Sequence, residues 1–158
     1  MAVSHEESAL HLQAKINQPG YYSYVPLHSV LFLFYRSIEL ALKAYLLSNG
    51  MTAEELRDTK RFGHKIANLY DVARNRNISS MLTLTKEEEE ILTSMSRHYS
   101  SKSYEYPEHV WVQEKPPLVV LSGLCRKVVY AVETIFDGPG QRRSEELIRR
   151  SVERKARE

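Results

Sequence analysis

Between Pro26 and Asn49 the chain carries a long stretch whose apolar side chains recur at helical spacing on more than one face. At about 100° per residue, Val30, Phe34, Ile38, Ala41 and Tyr45 form one broad apolar face. Leu33, Leu40 and Leu47 form a second seam at heptad spacing, and Arg36, Glu39 and Lys43 make a narrow polar stripe beside it. Pro26 suits the first turn of such a helix, and Gly50 stands where a left-handed C-terminal cap is wanted. A helix this apolar must be covered on both sides. It is therefore central in a bundle or shared with another subunit. His28, Arg36, Glu39 and Lys43 within the stretch argue against a membrane span.

The remaining periodic segments supply the cover. A first helix is expected over about Ser4–Asn17, with Ala9, Leu12 and Ile16 in phase, stopped by Gln18-Pro19-Gly20. Thr52 and Glu55 have capping-box spacing and open a short helix. A third main helix is expected from about His64 to Arg74, with Ile66, Leu69, Tyr70 and Ala73 inward, followed by a loop over Arg74–Asn77. Thr85 and Glu88 repeat the capping-box spacing and open a helix to about Tyr99. Periodicity stops from Ser100 to Pro117, a long loop of mixed polar and aromatic residues. Pro116-Pro117 then opens a last core helix, Leu118 to about Phe136. The expected fold is all-α: a four- to five-helix bundle over 1–140, with a charged helical or flexible tail over 141–158.

At 158 residues, 42% hydrophobic and 27% charged, the chain fits one globular domain and neither a disordered nor a repetitive class. Its one cysteine, Cys125, excludes an intrachain disulfide and gives no zinc set. Cys125 and Ser122 lie in an apolar helix, which suits a buried thiol better than a nucleophile. No His-Glu-x-x-His, Cys-x-x-Cys or Gly-rich phosphate loop occurs, so neither a metal nor a cofactor is expected. The polar N-terminal segment has no apolar signal core, and a cytoplasmic, soluble protein with no membrane partner is expected. The net charge of +2 is uneven. From Gln141 onward seven Lys/Arg face four Glu, while the rest of the chain is slightly acidic.

Three groups of residues could carry function, and no catalytic set is identified among them. Glu39 and Lys43 have the favourable order for an ion pair four residues apart. With Arg36, whose planar fork suits phosphate, the same stripe could floor an anion or nucleotide pocket. His64, next to Gly63 at a helix start, either bonds a nearby carbonyl or carboxylate or moves protons, and the second role needs a partner the sequence does not name. Arg97, His98, Lys102, Tyr104, Tyr106 and Trp111 are the densest cationic and aromatic mix. They could stack bases and neutralise phosphates, or pack a loop onto the bundle.

Three motifs, in order, resemble the HEPN superfamily, small helical domains named for nucleotide binding in prokaryotes and higher eukaryotes. Tyr35-Arg36-Ser37-Ile38-Glu39-Leu40-Ala41-Leu42-Lys43-Ala44-Tyr45-Leu46 resembles the family's first long helix. Gly63-His64-Lys65-Ile66-Ala67-Asn68-Leu69 resembles the approach to its next helix, and Tyr104-Glu105-Tyr106-Pro107 the Arg-Tyr-Pro ending that precedes its last. The likeness spans roughly Leu27 to Phe136. It implies a helical bundle, often dimeric. Catalytic members are metal-independent ribonucleases with an Arg followed four to six residues later by a His near the last core helices. This chain departs from that pattern. Arg97 is followed at once by His98, His109 is distant, Glu105 replaces the usual Arg, and Arg57 and His64 lie before another helix. The resemblance therefore implies a non-catalytic HEPN-like module that binds a partner protein or a nucleotide- or RNA-type ligand as a homodimer. The alternatives are a ribonuclease with a degenerate site around Arg97 and His98, and a structural subunit of a larger assembly.

Overall fold

The computed structural model describes residues 1–16, 18, 27–100 and 116–136, with the side chains of 95, 97, 98 and 100 left aside. The expected tail over 141–158, and the loop residues Lys102, Tyr104 and Tyr106, lie outside the described residues. Six helices follow in order: α1 (Ala2–Ile16), α2 (Leu27–Ser48), α3 (Ala53–Leu56), α4 (Ile66–Asn75), α5 (Lys86–Ser100) and α6 (Leu118–Phe136). No strand occurs among the described residues, and the chain is an all-α helical bundle. Nor is any described helix long and apolar enough to cross a membrane.

The centre of the bundle is α2. Its broad face (Val30, Phe34, Ile38, Ala41 and Tyr45) is buried together with Leu31, Leu42 and Leu46. Each fully buried Leu, Ile or Phe contributes about 1.5–3 kcal/mol over leaving it exposed. Covering so much apolar surface needs several neighbours, and α1, α4 and α6 all pack on α2 while α5 closes against α4 and α6. The second seam is covered unevenly. Leu33 and Leu40 are half-buried, and Leu47 stays 45% exposed.

Local chemistry sets the helix ends. Gly50, at φ 85°, takes the left-handed position that closes α2. Its N–H reaches the Leu47 carbonyl at 3.2 Å, and that of Met51 reaches the Leu46 carbonyl at 3.0 Å, which is the Schellman pattern. Both expected capping boxes form. Thr52 Oγ1 accepts from Glu55 N at 3.1 Å while Thr52 N donates to Glu55 Oε2 at 2.7 Å. Thr85 and Glu88 make the same two bonds at 3.2 and 2.7 Å.

Two boundaries differ from expectation. Arg74 and Asn75 belong to the last turn of α4, because the chain reverses later, at Asn77 with φ 70°, a conformation Asn tolerates. A short 3-10 turn, Ile78–Ser80, follows and inserts Ile78 into the core. At the other end, α4 starts at Ile66, leaving Gly63, His64 and Lys65 in the turn before it.

Side-chain ties link the elements. Tyr45 Oη donates to the Arg76 carbonyl at 2.5 Å, and the Arg76 guanidinium returns a bond to the Asn49 carbonyl. Lys127 on α6 bridges to Glu88 at 2.8 Å, Arg126 to Glu6 at 3.5 Å, and Ser37 Oγ donates to the Ala2 carbonyl at 2.6 Å. Cys125 is fully buried with its thiol directed at the Phe34 carbonyl, 3.7 Å away, and burial pushes that thiol up to about 12.

Candidate functional site

Residues 36, 39 and 43 fall within about 60° of arc on α2, so their side chains leave the helix together. Glu39 lies on the inner edge of this stripe and is 1% exposed. A carboxylate so buried must find donors or lose its charge, and four groups supply them. Lys43 Nζ is 2.5 Å from Oε1. Arg36 Nη1 lies 3.0 Å from Oε2, the Tyr99 hydroxyl 2.8 Å, and His64 Nδ1 3.2 Å.

The four donors are delivered by three pieces of the fold. Arg36 and Lys43 come from the same helix as Glu39. His64 comes from the turn before α4, which tucks in because Gly63 has no side chain. A Cβ there would sit 2.8 Å from the Thr59 carbonyl oxygen, and the Gly63 carbonyl itself receives Lys43 Nζ at 3.4 Å. Tyr99 comes from the last turn of α5. Its ring is tilted against Tyr35 at 5.6 Å and Phe32 at 6.0 Å, and meets the His64 ring edge-on at 5.0 Å. These contacts fix the hydroxyl where Glu39 needs it.

The electrostatics follow from burial and pairing. Burial pushes the Glu39 carboxyl up, but hydrogen bonds from Lys43 and Tyr99, then the charges of Lys43 and Arg36, outweigh it and hold the group below the usual carboxylate range. Burial, reinforced by the adjacent Glu39 charge, holds the Tyr99 phenol far above its ordinary value. For Arg36, burial disfavours the charge, yet Glu39 more than offsets it and the guanidinium is held more firmly protonated. A carboxylate only accepts, so His64 meets it with a protonated Nδ1, and in the neutral ring Nε2 is then the unprotonated nitrogen.

Arg36, His64 and Lys43 all reach the surface. Arg36 is 34% exposed, His64 31% and Lys43 22%. Two permanent positive charges thus stand between one buried carboxylate and solvent, and their sum with Glu39 is positive. Arg36 donates to Glu39 at 3.0 Å and also lies within hydrogen-bonding reach of the Tyr99 hydroxyl, and its planar fork of five N–H groups is the geometry that suits an oxyanion. Among the described residues no group of three His, Cys, Asp or Glu side chains could hold a metal ion.

Of the residues singled out from the sequence, Arg36, Glu39, Lys43 and His64 meet in this one cluster. Arg97 and His98 stand on the last turns of α5, beside Tyr99 in the chain, but their side chains lie outside the described set, as do Lys102, Tyr104 and Tyr106 entirely. Tyr99 and the Gly63 carbonyl are parts of the cluster that sequence reasoning missed. The signal for Tyr99 was its phase: Leu92, Ser96 and Tyr99 share the buried face of α5. Ser96 uses that position to accept the Ala67 N–H at 3.1 Å, giving α4 the cap that Lys65 does not provide. No protein-family model matches this chain, and no curated protein or solved structure matches it.

Proposed function

We propose that this chain is a cytoplasmic HEPN-like helical module that binds a nucleotide- or RNA-type ligand by its phosphate groups, as a homodimer and without catalysing a reaction. One observation carries the reading: Arg36, Lys43 and His64 converge on the solvent side of a single buried carboxylate. Stability alone does not account for this cluster, because replacing buried ionic groups with well-packed apolar ones is often neutral or stabilising. A cationic rim held in fixed geometry suits recognition of phosphate, where Arg contributes paired donors and Lys a point charge. The test is fluorescence anisotropy with a labelled single-stranded RNA and with AMP as competitor. Arg36→Ala and Lys43→Ala should each weaken binding by about tenfold, as losing one charged contact would. Unchanged affinity in both variants would sink the reading.

A second reading, a metal-independent ribonuclease, is favoured by one observation: the bond from His64 Nδ1 to Glu39 gives that histidine the orienting partner a general base requires. Incubating the protein with RNA in chelator, alongside His64→Ala, separates the two. Cleavage that the variant loses would replace the binding module with an enzyme, and intact RNA bound by both proteins would retain the module.

A further inference from the structure

Glu39 occupies the place a ligand's negative group would compete for. Its oxygens are 2.5 Å from Lys43 Nζ and 3.0 Å from Arg36 Nη1, and at 1% exposure water hardly screens its charge. Both cationic heads therefore lie within 3.0 Å of one carboxylate, although their Cα atoms are separated by about 10 Å along α2. One compact anion that bridges the two heads must share their charge with Glu39.

We propose that Glu39 is an internal anion that competes with the ligand, and that the site consequently selects phosphate monoesters over phosphodiesters. This inference rests on the phosphate-binding reading above. A phosphodiester carries a single charge and approaches from the wet side. It offers Arg36 and Lys43 no more than they already receive from a desiccated carboxylate. A monoester carries roughly −1.5 to −2 at neutral pH and three terminal oxygens, so it outbids one carboxylate for both heads at once. The Arg36 guanidinium, 34% exposed on the same rim, presents the planar N–H fork that can meet the extra oxygens.

The experiment compares a fluorescein-labelled hexaribonucleotide with and without a 5′-phosphate, bound to wild type and to Glu39→Gln at pH 7.5. Wild type should bind the phosphorylated strand roughly tenfold more tightly than its unphosphorylated counterpart, the effect of one added charge at close range. In Glu39→Gln both strands should bind more tightly and the ratio between them should shrink. Equal affinity of wild type for the two strands overturns the inference, as does a Glu39→Gln protein that binds no more tightly than wild type. Either result leaves phosphate binding itself standing. If neither protein binds either strand, the phosphate-binding reading fails first and the inference with it. Should Glu39→Gln fail to fold, the wild-type ratio alone decides. Displacement by AMP assigns the monoester to a mononucleotide, displacement by inorganic phosphate alone to the free ion, and resistance to both to a strand end.

Discussion

A carboxylate removed from water is stable only as long as its donors stay in place, and at Glu39 the least replaceable of them is uncharged. The Tyr99 hydroxyl is buried, fixed by three aromatic contacts, and aimed at an oxygen that Arg36 and His64 share. Tyr99→Phe keeps the ring and removes only the bond. A hydrogen bond to a charged group contributes about 1.5–3 kcal/mol, so the variant's unfolding free energy should fall by that amount, read as a lower urea midpoint at an unchanged m-value. An unaltered midpoint would mean that Lys43 and Arg36 hold Glu39 unaided. Acid provides a second measure. The folded Glu39 carboxyl is held below its unfolded value of about 4.3. Its contribution is therefore complete above that pH and is lost as pH falls through the lower folded value. Glu39→Gln should flatten the acid limb of stability against pH, whereas Glu6, whose carboxyl burial raises, acts in the opposite sense.

At the scale of the elements, the two glycines flanking the first half of the chain's core test different physics. Gly50 is at φ 85° with nothing near a would-be Cβ, so Gly50→Ala costs only backbone strain, about 1–2 kcal/mol. At Gly63 the obstacle is the Thr59 carbonyl, which cannot rotate away, so Gly63→Ala must displace the turn that carries His64. Gly63→Ala should therefore weaken phosphate binding well beyond Gly50→Ala at a similar loss of stability, as measured by anisotropy and urea melts on both variants. Equal binding by the two would detach His64's turn from the site. The same contrast explains what was legible in the sequence. Periodicity located α2 and α6, and cap spacing located both capping boxes and Gly50, because those signals act within a few residues. Arg36, Glu39 and Lys43 were visible as a stripe for the same reason. The depth of Glu39 was not, since it depends on Tyr99, sixty residues away, and on a turn that closes only because Gly63 is bare. Ile78 escaped likewise: with Met81, Leu82 and Leu84 it belongs to a short apolar group that sustains neither helical nor strand spacing.

For the molecule as a whole, α1, α4 and α6 pack on α2 and Tyr99 reaches it from α5, so the bundle should lose its structure in one cooperative step. What α2 leaves open is the end of its second seam, where Leu47 is 45% exposed. Homodimer formation would cover it, and light scattering should then return about twice the 18.3 kDa chain mass, falling toward a single chain for Leu47→Glu. A monomer at high concentration would remove the dimer from the proposal. The buried thiol of α6 adds something the fold did not need. Because Cys125 is the chain's only cysteine and touches solvent nowhere, a thiol reagent such as DTNB can reach it only when α6 lifts from α2. Its labelling rate is thus a clock for the opening of the bundle, with no introduced probe. A phosphate ligand that bridges Arg36 and Lys43 should slow that clock by a factor set by its concentration over its Kd, reporting from the far side of the same helix on whether the site is filled.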